Sequence, residues 1–143
     1  RFPRGKSSIE DYVTNSELKI GKGNIVRTGI DISIFAFGSM LDTAMSASEK
    51  INATVVDMRF VKPLDEDLIL KIANDSKTLI SIEDNTLNGG AGSAINELLQ
   101  KNNIKTNLHM LGVPDNVTEH GSQSELYELY GLTPEKIIEV SKN

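Results

Sequence analysis

The sequence predicts an α/β fold in which a mostly parallel sheet of about five strands is covered by helices on both faces. Short apolar segments of strand length alternate along the chain with segments whose apolar residues recur at helical spacing. Strands and helices that alternate in this way form right-handed βαβ units, and these bury both faces of a parallel sheet. With 143 residues the chain is long enough for one such domain with its own core. We therefore expect a three-layer α/β/α sandwich.

Four buried strands are predicted from short segments rich in β-branched or aromatic residues. They are residues 30–37, 54–58, 78–82 and 107–111. A further strand at Asn24–Arg27 is expected at one edge of the sheet. Residues 1–23 are polar, lack sustained periodicity and end in Gly21-Lys22-Gly23. We interpret them as an extended arm that enters from a preceding domain, so that the folded domain comprises residues 24–143.

Three crossover helices are predicted between the strands. The first has its apolar stripe at residues 41–48, with Ser39 as a candidate N-cap. The second, with its stripe at residues 68–73, follows Pro63 and an acidic first turn, where carboxylates stabilise the positive end of the helix dipole. The third stripe, residues 94–99, begins directly after a glycine-rich turn.

Two helices are expected after the last strand. The first runs from about Ser122 to Tyr130 and ends at Gly131, a residue type that readily adopts the left-handed conformation of a helix C-terminus. The second has Thr133 as its N-cap and Pro134 at its first position, where the fixed φ of proline suits a helix. The sequence thus predicts five helices.

The composition excludes several classes of function. Fifteen basic and twenty acidic residues give a net charge of -5, and no basic tract is present, so we expect no binding to nucleic acid or to an anionic membrane. No apolar stretch approaches the roughly 18 residues of a membrane span. The absence of cysteine excludes a thiolate nucleophile and thiolate-ligated zinc.

The glycine-rich turn Gly89-Gly90-Ala91-Gly92-Ser93 is a candidate anion site. It leads from a predicted strand into a helix, where backbone N–H groups and the helix dipole can hold an anion. It lacks the third glycine of a dinucleotide-binding motif and the lysine of a P-loop. We therefore favour a structural role in packing the helix against the sheet, and the ligand role stays the alternative.

Other polar candidates are Glu83-Asp84-Asn85 and the two histidines. The acidic triplet follows the third predicted buried strand, and its two carboxylates suit acid–base chemistry or a metal. Adjacent loop side chains usually point apart, so we expect a loop or interface role. His109 lies in a predicted strand and is expected to be structural. His120 lies in a loop, where we favour a local hydrogen bond, and a contact to a neighbouring site or to a partner subunit is the alternative.

Several motifs, in the same order, resemble the carboxy-terminal part of the deoxyxylulose phosphate synthases, thiamine-diphosphate enzymes of the transketolase group. The resemblance covers nearly the whole chain. It rests on Arg1-Phe2-Pro3-Arg4-Gly5, Ile20-Gly21-Lys22-Gly23, residues 57–65, Glu83-Asp84-Asn85, residues 88–93, Gly112-Val113-Pro114-Asp115 and residues 119–123. Residues 57–65 are the most specific of these, whereas the glycine-rich turn is shared more widely across transketolase-like enzymes.

The resemblance implies the fold just described and a parent reaction. It implies that the first strand is antiparallel to the others. The parent enzyme would condense pyruvate with glyceraldehyde 3-phosphate, releasing carbon dioxide and giving deoxyxylulose 5-phosphate. The first domain would hold the diphosphate of thiamine diphosphate and its Mg²⁺, and the second would supply the glutamate that activates the cofactor ring. These N-terminal and central domains are the expected partners of this chain within a homodimer. The chain alone is expected to be inactive, and the parent cytoplasmic, with a plastid as the alternative.

One substrate contact is carried over from the resemblance. Arg4 matches the second arginine of the family's Arg-Tyr/Phe-Pro-Arg-Gly motif, which grips the phosphate of the aldehyde substrate. Arg1 matches the first arginine, to which we give a structural role. Glu83-Asp84-Asn85 departs from the more usual Glu-Glu-Asn. No catalytic, cofactor or metal residue is assigned in this chain.

The sequence also allows two other interpretations of the domain. The domain could belong to a transketolase or to the beta subunit of a pyruvate dehydrogenase, although residues 57–65 argue against both. It could instead be a stand-alone module that binds an anion at residues 89–93 and regulates a partner. An independent hydrolase lacks the necessary arrangement of serine or cysteine with histidine.

Overall fold

The computed structural model describes residues 17–117 and 119–143. The strands are β1 (Asn24–Arg27), β2 (Ile32–Ala36), β3 (Thr54–Asp57), β4 (Thr78–Thr86) and β5 (Asn107–Val113). The helices are α1 (Leu41–Ile51), α2 (Glu66–Asp75), α3 (Ala91–Lys101), α4 (Gln123–Tyr130) and α5 (Pro134–Val140), and a 3₁₀ turn, Gly38–Met40, precedes α1. In the described part of the chain, no helix combines the length and the apolarity that crossing a membrane requires.

The five strands form one sheet in the order β1-β3-β2-β4-β5. β1 runs antiparallel to β3 at one edge, while β2 pairs in parallel with β3 and β4, and β4 pairs in parallel with β5. The predicted mostly parallel sheet with an antiparallel edge strand is confirmed. Because β2 to β5 point the same way, the residues that follow each of them meet at one edge, called here the carboxyl edge.

Alternating side chains of the central strands supply two separate cores. Ile34 and Ile80 pack on one face of the sheet with α1 and α5, whereas Phe35 and Leu79 pack on the other face with α2 and α3. All four are fully buried. Burying one such side chain contributes about 1.5–3 kcal/mol. Helices therefore cover both faces, as the predicted three-layer sandwich requires.

The first buried strand is shorter than predicted. It comprises Ile32–Ala36 rather than residues 30–37 because Asp31, with φ of 64°, forms a turn ahead of it. The Asp31 carbonyl accepts hydrogen bonds from the backbone N–H groups of Lys77 and Thr78. This turn therefore fixes the start of β4 beside the start of β2.

Ser39 does not cap α1, and that prediction is wrong. Ser39 lies inside the 3₁₀ turn, and Met40 occupies the N-cap position without a side-chain hydrogen bond to the helix. The tight turn directs the Ser39 hydroxyl away from α1, where it donates to Asp84 on β4. Ser39 therefore connects the 3₁₀ turn to β4 and does not stabilise the start of α1.

The last two helices begin and end as predicted. Ser122 and Glu125 form a reciprocal capping box at the start of α4, and Gly131, with φ of 67°, ends that helix in the left-handed conformation. Thr133 caps α5 by accepting from the backbone N–H of Lys136 at 3.3 Å, and proline occupies the first turn. Local side-chain chemistry therefore determines both boundaries.

Candidate functional site

The acidic triplet lies within a strand and not in a loop, which corrects the prediction for these residues. β4 continues to Thr86, four residues beyond the predicted end at Ile82, and pairs with β5 as far as Val113. Glu83-Asp84-Asn85 therefore occupies the carboxyl edge of the sheet. The pairing register shifts between Ile82 and Thr86, and polar side chains are accommodated there because each finds partners beyond the core.

Glu83 supplies the anion for the N-terminus of α3. Its carboxylate is buried, and its two oxygens accept hydrogen bonds from the backbone N–H groups of Ala91 and Gly92, each at 2.9 Å. A negative charge at this position is stabilised by the helix dipole and satisfies N–H groups that have no partner within the helix. The Glu83 carboxylate thus occupies the position at the N-terminus of α3 that an anionic ligand would take.

The glycine-rich turn is required by this arrangement. A Cβ atom at Gly90 would lie 2.1 Å from the Thr86 carbonyl oxygen and 2.6 and 2.7 Å from the two Glu83 carboxylate oxygens. Ser93 also donates to the Leu87 carbonyl at 2.8 Å and closes the turn. The preferred structural role of residues 89–93 is confirmed.

Asp84 is the centre of a polar cluster that joins three elements. Its Oδ2 atom accepts from the Ser39 hydroxyl at 3.0 Å and from the Tyr127 hydroxyl at 3.4 Å. The two hydroxyls lie 3.1 Å apart, and Gln123 donates to the Tyr127 hydroxyl at 2.8 Å. These hydrogen bonds hold α4 and the 3₁₀ turn against β4.

A groove of about 730 Å³ opens beside this cluster, between α4 and the carboxyl ends of β4 and β5. Apolar groups form part of its wall, and its acidic lining residues are Asp84 and Asp115. The described residues that line it are Asp84, Asn85, Thr86, Val113, Pro114, Asp115, Asn116, Gln123, Leu126, Tyr127, Tyr130 and Leu132. None of these is cationic. The position agrees with the general preference of open α/β sheets to bind ligands at the carboxyl ends of their strands.

Asp65 holds the arm against the domain. This buried carboxylate caps α2 by accepting from the Leu68 N–H at 3.4 Å, and it also accepts from the Lys22 ammonium at 2.9 Å and the Gly23 N–H at 3.0 Å. Burial raises the pKa of Asp65, but these three hydrogen bonds outweigh it and hold the pKa below its ordinary value. Lys22 and Gly23, at the end of the predicted arm, are thus anchored at the start of α2, close to the end of β3.

The remaining candidates do not converge with this cluster. His109 lies on β5, half-buried, with Nε2 3.0 Å from the Asn107 amide nitrogen. His120 is exposed in the loop before α4. Arg4 and Arg1 lie outside the described residues, so the structure does not place the one predicted substrate contact.

The described residues do not fit a thiamine-diphosphate and magnesium site. Within residues 17–117 and 119–143, no three His, Asp or Glu side chains are grouped so that they could hold a metal ion. The N-terminus of α3, which would suit a diphosphate, is filled by Glu83.

Comparisons with known proteins identify related sequences over the whole chain. Residues 21–137 match the sequence profile of the family described as "Transketolase, C-terminal domain". The chain is 46% identical over 133 residues to the 1-deoxy-D-xylulose-5-phosphate synthase of Psychromonas ingrahamii, covering 92% of this chain and 21% of that protein. It is 43% identical over 143 residues to the synthase of Mannheimia succiniciproducens, covering 100% of this chain and 23% of that protein.

A solved structure of a transketolase has the same fold as this chain. "Split gene transketolase, inactive beta4 tetramer" superimposes with a TM-score of 0.83 at 27% sequence identity, covering 99% of this chain and 46% of that one. This chain thus spans between a fifth and a quarter of the length of the curated relatives named above. The predicted resemblance of the sequence is confirmed.

Proposed function

The chain belongs to the transketolase C-terminal domain family, and on that premise we propose that it is the C-terminal domain of a 1-deoxy-D-xylulose-5-phosphate synthase. One observation carries the proposal. The chain is 46% and 43% identical to two synthases over 92% and 100% of its length, whereas the transketolase that superimposes on 99% of it is 27% identical. The higher identity to synthases over a similar length favours a synthase over other members of the group.

The proposed parent enzyme is a transferase of isoprenoid, thiamine and pyridoxal precursor synthesis, working as a cytoplasmic homodimer. It joins pyruvate to glyceraldehyde 3-phosphate, and the carboxyl group of pyruvate leaves as carbon dioxide. Thiamine diphosphate and Mg²⁺ are assigned to the preceding domains. This chain contributes a folded platform whose carboxyl edge carries Glu83, Asp84 and the anchored arm.

Arg4 is proposed to bind the phosphate of the aldehyde substrate. A guanidinium group presents two parallel N–H donors to a phosphate, which makes the pair strong and directional. The contacts of Asp65 support this role, because they hold Lys22 and Gly23, the last residues of the arm, at the carboxyl edge of the sheet. The arm thereby connects substrate binding in the parent to the folded domain.

Steady-state kinetics of the full-length parent test this assignment. Replacing Arg4 by alanine should lower kcat/KM for glyceraldehyde 3-phosphate by roughly ten- to a hundredfold, which corresponds to loss of a charge-assisted hydrogen bond of about 1.5–3 kcal/mol. The KM for pyruvate should change little. The kcat/KM for unphosphorylated glyceraldehyde should not fall comparably, because that substrate has no phosphate for Arg4 to bind.

The matched control is Lys50→Ala, which removes an exposed cation from the end of α1. Unchanged kinetics of Arg4→Ala with the phosphorylated aldehyde would remove Arg4 from the site without affecting the identity of the parent. That identity is tested by the products. A synthase releases one carbon dioxide for each deoxyxylulose 5-phosphate formed, whereas a transketolase moves a two-carbon unit between sugar phosphates without releasing carbon dioxide.

The stand-alone anion-binding module is not favoured. Its proposed site at residues 89–93 would need free N–H groups at the start of α3, and Glu83 takes those of Ala91 and Gly92. Calorimetric titration of this chain with inorganic phosphate is expected to show no specific binding at that turn. Tight binding that is unaffected by a change at Arg4 would restore the module hypothesis.

A further inference from the structure

The apex of the glycine-rich turn is formed by an asparagine followed by a glycine, and the packing of α3 makes no use of this pair. Asn88 and Gly89 are the two central residues of a turn that Gly90 closes by donating its N–H to the Leu87 carbonyl at 3.3 Å. Both are exposed. Gly89 has φ of 72°, and a Cβ atom built on it would meet nothing within 4 Å. This part of the turn therefore lies open to solvent.

The pair is the only asparagine–glycine step in the sequence. Asparagine is chemically labile because the backbone nitrogen of the next residue can attack its side-chain amide carbon. A glycine in that place has no side chain to hinder the approach, and its backbone rotates more freely than that of any other residue. At Asn116, by contrast, the following residue is the β-branched Val117. The attack is therefore least hindered at Asn88.

We propose that Asn88 is a site of spontaneous covalent modification, at which the side-chain amide is lost through a cyclic imide. The Gly89 nitrogen gives up its proton to a solvent base and uses its electron pair to form a bond with Asn88 Cγ. The bond from Cγ to the amide nitrogen breaks, and that nitrogen takes up a proton and leaves as ammonia. Water then opens the imide at either carbonyl, which gives aspartate or isoaspartate. No group is oxidised or reduced, and water is the co-reactant.

Ser93 restrains the attacking nitrogen. The Gly89 N–H donates to Ser93 Oγ at 3.2 Å, and the same hydroxyl donates to the Leu87 carbonyl at 2.8 Å. Both the loss of the Gly89 proton and the movement of its nitrogen toward Asn88 require the first of these hydrogen bonds to break. Ser93 lies in the first turn of α3, so the helix fixes its position. Ser93 therefore slows the modification as long as α3 is folded.

The isoaspartate product would disturb the contact between α3 and the sheet. Isoaspartate continues the main chain through its side-chain carbon, so it adds one carbon atom to the backbone of the turn. Gly90 has no room to move toward β4, because even a Cβ atom there would lie 2.1 Å from the Thr86 carbonyl oxygen and 2.6 Å from Glu83 Oε1. The longer turn must therefore displace the start of α3 from Glu83.

Peptide mapping by mass spectrometry tests the proposal on the 143-residue chain after incubation at mildly alkaline pH. The conversion to aspartate and isoaspartate is followed separately at each asparagine. Asn88 should react faster than Asn102 and Asn116, which are also exposed but precede other residue types. Ser93→Ala should raise the rate at Asn88 by about two- to tenfold, as expected for loss of one hydrogen bond. A rate at Asn88 that does not exceed the rate at Asn102 would overturn the proposal.

Two controls separate the restraint by Ser93 from a general loosening of the fold. Ser141→Ala removes another hydroxyl that donates to a backbone carbonyl, at the end of α5, and should leave the rate at Asn88 unchanged. In denaturing urea the native chain and Ser93→Ala should react equally fast at Asn88, because the turn is then absent. The role of Ser93 is overturned if Ser93→Ala leaves the rate at Asn88 unchanged, or accelerates Asn102 to the same extent.

The effect on α3 is measured on the modified chain itself. The form that carries isoaspartate is separated by chromatography, and its unfolding in urea is followed by circular dichroism. Its urea midpoint should be lower than that of the native chain. Asn88→Asp adds the same charge without the additional backbone carbon and should unfold close to the native midpoint. Equal midpoints for the isoaspartate form and Asn88→Asp would overturn the effect on α3.

Discussion

At the residue scale, Glu83 shows how backbone N–H groups can stabilise a buried carboxylate. Both of its oxygens accept backbone N–H groups of α3, and the helix dipole adds to the attraction. Gly90 lies so close that any side chain there would collide with this carboxylate. The pair therefore forms a structural unit at the point where β4 leads into α3.

Replacing Glu83 by glutamine should destabilise the chain by about 1–3 kcal/mol. Glutamine offers one acceptor oxygen to two N–H donors, and its NH₂ group would face the other donor. Urea unfolding monitored by circular dichroism should show a lower midpoint with an unchanged slope. Glu97→Gln, which alters an exposed residue of the same helix, is the control and should shift stability by less than about 0.5 kcal/mol. Equal effects of the two changes would contradict the capping role.

At the element scale, Asp65 couples the start of α2 to the arm. The carboxylate serves as N-cap and also accepts from Lys22 and the Gly23 N–H, so protonation weakens two connections at once. The pKa of Lys22 is raised, mainly by its hydrogen bond to Asp65. The pair is therefore fully charged across the neutral range.

The stability contributed by Asp65 should depend on pH in a defined direction. Its folded pKa is depressed below the model-peptide value of 3.8, so the contribution is complete above that value and is lost as pH falls through the folded pKa. Urea midpoints of the native chain and of Asp65→Asn should differ at pH 7, and the difference should shrink as the pH falls below 3.8. A difference that stays constant as the pH falls below 3.8 would show that the charge of Asp65 is not involved. Asp75→Asn, at the other end of α2, controls for the general effect of removing an acid.

Element boundaries also show where prediction from sequence succeeds and where it fails. Thr133 and Pro134 define the start of α5 through contacts with their immediate neighbours, and such local chemistry can be read from sequence. The end of β4 cannot, because its apolar run stops at Ile82 while pairing with β5 continues to Thr86. Glu83 is accommodated in that extension only because α3 begins beside it.

At the scale of the whole molecule, the fold class could be predicted and the polar cluster could not. Alternating strand and helix patterns determine the sheet and its two covered faces, because burial of both faces leaves few arrangements. Asp84 meets Ser39 and Tyr127, which are 45 and 43 residues away in sequence, and each residue taken alone resembles an ordinary polar side chain. The substrate contact expected at Arg4 stays a prediction, since it lies outside the described residues.

The sheet should be the most stable unit of the chain and α4 among the least. β2 is paired on both sides, and Ile34, Phe35 and Ala36 are fully buried between two helical layers, whereas α4 has no fully buried residue. Native-state hydrogen exchange should therefore show the slowest amides in β2 and the buried part of β4, with α4 exchanging through local opening at lower free energy. Adding low concentrations of urea should accelerate exchange in β2 steeply and in α4 only slightly, because global unfolding exposes more surface than local opening. Equal protection and equal urea dependence in α4 and β2 would mean that α4 opens only with the whole domain. In that case the Asp84 cluster, which ties α4 to β4, would be strong enough to make the groove a rigid part of the core structure.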